Sequence, residues 1–255
     1  TVIHWPLHHT LDKKNMTHWQ PKPLLFAHGF YICILLSWYF FENAWAALDH
    51  TAFFFFNGLL DTSYDWQYYW AIANKRAFDV VPATLMLSVF FLYILGKQRT
   101  EVRKRIAQMM VIGIFSLIVL TFSKKVLDFD RHSPSLELEP VHRITLLVPD
   151  VDTKDSSKDS FPGEHTMTLS VWVFLFWYFA GWRFGLVALS FGIIFSIPRL
   201  VAGAHWLTDD IIGGIGVAGL ASCWLICTPA LGFLLQKFDP IAGWLGRTFR
   251  LSKET

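Results

Sequence analysis

Charge is what this 255-residue chain has little of: Asp, Glu, Lys and Arg make up 16% of it, against 53% hydrophobic residues. Soluble globular chains carry about 25% charged residues. The deficit argues against an ordinary water-soluble domain, and the mean hydropathy of +0.38 points to a membrane solvent. A net charge of +2 is too small to suggest a nucleic-acid partner. Cysteine is scarce as well. Cys33, Cys223 and Cys227 all lie inside apolar runs, which argues against a disulfide framework. Cys223 and Cys227 are one helical turn apart, but no His or third Cys nearby completes a metal site, so all three read as small buried apolar side chains. Internal repeats and low-complexity tracts are missing, which leaves one domain, 1–255. No cleavable signal peptide is expected, because the first apolar run starts only at Leu24 and has no clear small-residue cleavage site.

What is present is a series of apolar runs. A helix needs roughly 17–25 mostly apolar residues to cross a bilayer. Six stretches are read as spans, at about 24–41, 78–95, 107–122, 166–180, 184–198 and 211–235. Residues 52–60 are too few to cross; followed by Trp66, Tyr68, Tyr69 and Trp70, they read as an interfacial helix. Six spans put both termini on one side, and charge tests that arrangement. The terminal side holds 13 of the 22 basic residues, including the cluster Lys97, Arg99, Arg103, Lys104 and Arg105, against four acids. Lys and Arg gather in cytoplasmic loops. Both termini, with the segment 1–23, are therefore expected in the cytoplasm. The cluster itself reads first as a topology anchor, and second as a lipid-headgroup site. Residues 123–164, rich in Pro, Asp, Ser and Lys, become a loop on the outer side; loops of that length are usually functional or disordered.

Three groups of residues carry chemistry, and all three fall on the outer side. Lys124 and Arg131 end the third span; they are either interfacial anchors or phosphate ligands. Phe161-Pro162-Gly163-Glu164-His165 leads into the fourth span. Gly163 lets a ligand come close to the backbone, and the helix N-terminus favours an anion. A histidine such as His165 is often structural in that setting. Arg199, His205 and Asp209 lie between the fifth and sixth spans. If that stretch is helical, His205 and Asp209 share a face at i and i+4. A carboxylate fixes the imidazole tautomer and frees the other nitrogen to attack, although such a pair is also a common satisfied polar contact. Asp210 reads as a charge at a helix N-terminus. Gly214, Gly216 and Gly219 have dinucleotide-loop spacing, but they follow no strand, so close helix packing explains them better.

Together these groups resemble the phosphatidic acid phosphatase type 2 superfamily, which shares its core with vanadium haloperoxidases. That signature is Lys-x6-Arg-Pro, Pro-Ser-Gly-His and Ser-Arg-x5-His-x3-Asp. Lys124 and Arg131 keep the first spacing, with His132 in place of Pro. Arg199, His205 and Asp209 keep the third, with Pro198 in place of Ser. The second motif departs more, with Gly163 for Ser and Glu164 for Gly. Residues 130–134, 153–165 and 198–209, with the stretch 74–79, look like one branch, the lipid A 1-diphosphate synthases of Gram-negative inner membranes.

The resemblance implies an all-α membrane bundle of six helices with its active site facing the periplasm. It implies undecaprenyl diphosphate as donor and the 1-phosphate of lipid A as acceptor. His205 would be the nucleophile, Asp209 its orienting carboxylate and His165 the general acid. Lys124, Arg131, Arg199 and the Gly163 amide would hold the phosphate, with no metal or other cofactor. Glu164 would either favour a protonated His165 or face solvent. Lys158 and Lys154 either meet a second anionic headgroup or sit on a solvated loop. The nearest rival function is hydrolysis, as an undecaprenyl diphosphate phosphatase. A transporter, a structural membrane protein and a catalytically dead relative that only binds lipid are further alternatives.

Overall fold

A computed structural model describes residues 19–127 and 130–248. Residues 1–18 of the expected cytoplasmic segment 1–23 therefore lie outside the described residues, while Pro21, Lys22 and Pro23 already belong to the first helix. All regular elements among them are helical. The long ones are α1 (Pro21–Phe40), α2 (Glu42–Asn57), α3 (Tyr64–Asn74), α4 (Val80–Ile94), α5 (Arg99–Val126), α8 (Glu164–Ala180), α9 (Trp182–Val201), α10 (Val217–Cys227) and α11 (Ala230–Thr248). Two single turns, α6 (Pro134–Glu137) and α7 (Ile144–Leu147), punctuate the long loop. A 3-10 turn, Arg76–Asp79, precedes α4, and a wide π-helical stretch, Asp209–Gly216, runs straight into α10.

Among the described residues five helices are long and apolar enough to cross a membrane: Pro21–Phe40, Arg76–Ile94, Arg99–Val126, Trp182–Val201 and Asp209–Cys227. The segment expected as the fourth span is α8, which has 17 residues. It is the axis of the bundle and packs on α9, α5, α10 and the π-helical stretch. Met167, Val171, Leu175 and Phe176 on α8 are almost wholly buried, in one core with Val102, Val111, Ala188 and Ala218. The outward faces are apolar too: Phe26, Tyr39, Leu92, Leu117 and Phe122 are all exposed. A helix apolar on every side belongs in lipid.

Three boundaries differ from the sequence reading. The sixth span ends at Cys227, not near 235. Thr228 is extended and Pro229 follows, so the chain restarts as a separate helix, α11, packed along α5. The segment read as an interfacial helix at 52–60 begins ten residues earlier, at Glu42, because only Phe41 interrupts the helical path from α1. The long loop starts later than expected, since α5 keeps Ser123, Lys124 and Lys125 in its last turn.

That loop is folded. Ser133 N–H donates to Ser157 O at 2.9 Å and Ser160 N–H to Arg131 O at 2.8 Å, drawing its two ends together. Ile144, Val148 and Val151 form a second small core with Leu60, Ala71 and Val201. Asp155 accepts from Arg143 Nη2 at 2.7 Å, from Thr145 N–H at 3.1 Å and from Thr145 Oγ1 at 2.6 Å. Gly214, Gly216 and Gly219 pack against Thr166, Tyr31 and Phe174, as close helix packing requires.

Candidate active site

The three residue groups meet at one end of the bundle: the C-termini of α5 and α9, the N-terminus of α8 and the start of the π-helical stretch. His205 does not lie on a helix. Residues 202–206 form a turn in which Gly203 has φ of +71°, a conformation glycine tolerates. A Cβ there would stand 2.9 Å from the Phe53 ring.

His205 Nδ1 donates to the Ser160 carbonyl at 2.8 Å. That bond fixes the tautomer and leaves Nε2 with its lone pair. The Asp209 carboxylate is 3.8 Å from Nδ1, too long for a hydrogen bond, and acts on the ring through its charge. The i and i+4 spacing thus brings the two residues close through a turn and not along a helical face. Asp209 is held in turn: its Oδ2 accepts from Trp206 N–H at 2.8 Å, and its Oδ1 pairs with Arg131. Burial lowers the affinity of His205 for a proton, but the Asp209 and Asp210 charges and the Ser160 carbonyl outweigh it. The imidazole pKa stands above the ordinary histidine value.

Arg131 is committed to protein partners. Its Nη2 donates to Asp49 Oδ2 and its Nη1 to Thr208 Oγ1, each at 2.9 Å. Its guanidinium also faces the rings of Trp38 and Trp206, at 5.6 and 5.3 Å. Asp49 also accepts from Thr208 N–H at 2.9 Å and Thr208 Oγ1 at 2.6 Å. Asp49 and Asp209 both carry almost no exposed surface, so Arg131 is the counter-charge that makes their burial tolerable.

Arg199 and His165 share the opposite wall. Both approach Asp79 Oδ1 at 3.7 Å. Arg199 Nη1 donates to Asn74 O at 2.6 Å and Asn74 Oδ1 at 2.9 Å. Asn74 Nδ2 donates to Lys154 O at 2.6 Å, which ties this wall to the loop. His165 lies near enough to His205 for a positive charge on one ring to disfavour one on the other.

Lys124 Nζ pairs with Glu164 Oε1 at 2.7 Å, and both side chains are about half exposed. The carboxylate nearest His165 is therefore Asp79, while Glu164 turns to Lys124. Lys158 is exposed and makes no hydrogen bond or ion pair among the described residues. The Gly163 amide is not free for phosphate, because it donates to Asp209 O at 3.0 Å. Met167 N–H donates back to Gly163 O at 2.9 Å, and the amides before it, those of Glu164, His165 and Thr166, are the ones a helix start leaves without an acceptor one turn back. Gly163 is needed for a different reason: a Cβ would sit 2.2 Å from Asp210 Oδ1. Asp210 itself is buried with neither carboxylate oxygen hydrogen-bonded, not the solvated helix-end charge its position suggests. Among the described residues no group of three His, Cys, Asp or Glu side chains could hold a metal ion.

Sequence reasoning assigned no role to Asp49, Asn74, Asp79 or Ser160. Asn74 and Asp79 lie in a stretch that already looked like the synthase branch. Asp49 sits in an aromatic-rich apolar helix, where a lone acid is itself a signal. Ser160 contributes only a backbone carbonyl, which leaves no trace in side-chain chemistry.

This fold and this set of residues define a class. The PAP2 superfamily model matches residues 140–230, and the chain belongs to that superfamily. Among curated proteins, the lipid A 1-diphosphate synthase of Escherichia coli (strain K12) is 34% identical over 215 residues, covering 82% of this chain and 88% of the relative. No solved structure matches the chain.

Proposed function

We propose that this protein is a lipid phosphotransferase that passes a phosphoryl group from undecaprenyl diphosphate to the 1-phosphate of lipid A through a phosphohistidine at His205. The observation that carries the reading is the His205 ring, anchored through Nδ1 to the Ser160 carbonyl with Nε2 unbonded. The synthase name of the relative supports the choice of acceptor.

Nε2 attacks the terminal phosphorus of the donor. The bond from that phosphorus to the bridging oxygen breaks, and His165 gives its proton to the departing undecaprenyl phosphate. Arg199 and the first-turn amides of α8 face the charge spread over the equatorial oxygens, which is where phosphoryl transfer needs stabilisation. Lys124 adds to this when it leaves Glu164. Arg131 acts at one remove, by holding Asp209 against the nucleophile. An oxygen of the lipid A 1-phosphate then attacks the phosphohistidine, the N–P bond breaks, and lipid A 1-diphosphate leaves. Water in place of lipid A gives phosphate and makes the enzyme a phosphatase.

The same reading counts α8 as a sixth span, because its 17 residues reach the lower limit for crossing a bilayer. Both termini are then cytoplasmic, and the site opens to the periplasm of a Gram-negative inner membrane.

Mass spectrometry of lipid A from a host lacking this activity tests the assignment. Expression of the protein should add one phosphate to lipid A, and His205→Ala should add none. Purified protein that releases phosphate from undecaprenyl diphosphate at full rate without lipid A would make it the hydrolase.

A further inference from the structure

The basic cluster at the start of α5 takes no part in the proposed chemistry. It lies at the other end of α5 from Lys124, with Arg99 about 38 Å away by helix rise. There the N-terminal turn of α5 and the last turns of α11 enclose a cavity of about 200 Å³. A single water needs only about 10–15 Å³ of such space, so the cavity has room for a phosphate group. Its polar wall is Arg99, Thr100, Arg103 and Arg247, and its floor includes Gly243 and Gly246.

The charge in the cavity is unbalanced. Among the described residues the acid paired with this wall is Asp239, and it is taken up by Arg103, with Nε to Oδ1 at 2.6 Å. Among the described residues Arg99 and Arg247 have no acidic partner. Glu101 turns away to Arg105 at 3.6 Å. Gly243 leaves space for the Arg103 guanidinium, whose Nε would be 3.2 Å from a Cβ there. The depth is informative too. On α11, Phe233, Ile241 and Trp244 are exposed while Leu231, Ala242 and Gly246 are buried. A helix with an apolar outward face and a Trp near its end lies at the lipid headgroup level.

We propose that this cavity binds one phosphate-bearing anion, at the membrane face opposite the catalytic residues. Two arginines with no acidic partner among the described residues, and a third held in place by Asp239, give bidentate donors for phosphate oxygens. The chemistry fits the phosphodiester of an anionic phospholipid or a free phosphate ester. The proposal does not rest on the catalytic reading.

Native mass spectrometry of the delipidated full chain separates these sources. The probes are phosphatidylglycerol, phosphatidylcholine of the same acyl chains, glycerol phosphate and inorganic phosphate. Wild-type protein should retain one phosphatidylglycerol in clear preference to phosphatidylcholine. The double variant R99Q/R247Q should lose that preference by about thirtyfold, the worth of two basic residues at an anionic surface. Equal displacement by glycerol phosphate would identify a free phosphate ester as the ligand, and equal displacement by inorganic phosphate would identify the free phosphate ion. Gly246→Leu keeps every charge and fills the cavity, since a Cβ there meets only Ile106 at 3.8 Å. It should also lose the bound lipid. If both variants fold, by an unchanged Tm without lipid, and both keep the wild-type preference, the cluster is a topology anchor and the site does not exist. If the double variant does not fold, Gly246→Leu alone decides.

Discussion

At the residue scale the site is a chain of restraints around one imidazole. Ser160 fixes one ring nitrogen, Asp209 supplies charge, Arg131 holds Asp209, and Asp49 holds Arg131. The raised pKa of His205 has a kinetic consequence. In the proposed mechanism attack needs the neutral ring, so activity is lost as pH falls through that pKa. The acid limb of kcat/KM should therefore stand above the ordinary histidine value, and Asp209→Asn should move it to lower pH. An unmoved limb would exclude His205 as the titrating group. Gly163→Ala drives a methyl into Asp210 Oδ1 and the Asp209 carbonyl, at 2.2 and 3.1 Å. It should cost about 1–3 kcal/mol, the usual price of overpacking, visible as a lowered Tm. Gly219→Ala, with only Phe174 at 3.5 Å, should leave Tm unchanged.

At the element scale the long loop is a folded strut. It is pinned at the buried Asp155, clamped by Arg143 and Thr145. Burial opposes ionisation of Asp155, but those donors win and hold its pKa below the usual carboxylate range. A depressed folded pKa means that the clamp contributes fully above the unfolded-state value and is lost as pH falls through the folded one. The loop should thus loosen only in acid. Asp155→Ala leaves the half-buried Arg143 and the Thr145 donors without their acceptor and should cost about 1–3 kcal/mol. Limited proteolysis should then cut within residues 131–160 at neutral pH, where the wild-type loop resists. Because Asn74 joins this loop to Arg199, the same variant should raise KM for the donor more than a surface change such as Lys158→Ala.

At the scale of the whole molecule, two polar ends flank an apolar bundle. One carries the candidate catalytic residues and the other the arginine cavity. Their separation along α5 predicts opposite accessibility. In a chain with Cys33, Cys223 and Cys227 replaced, a cysteine at Lys158 should react with an impermeant maleimide in cells with a permeable outer envelope. One at Lys97 should react only after lysis. The reverse pattern would invert the proposed topology. The helix α11 matters here because it restarts after Pro229 and folds back along α5.

The sequence by itself determined the solvent and the parts. Low charge and long apolar runs require a membrane bundle, and the spacing of Lys124 and Arg131, and of Arg199, His205 and Asp209, marks the polar ends of its helices. Only the tertiary structure decided who pairs with whom. Asp49 reaches Arg131 from 82 residues away, and Asn74 reaches Arg199 from 125. Glu164 pairs with Lys124 and leaves His165 to Asp79. Such pairings depend on how the helices rotate and cross, which local spacing does not encode. The break at Cys227 was written in Thr228 and Pro229, but hydropathy averaged over a window passes across a single turn.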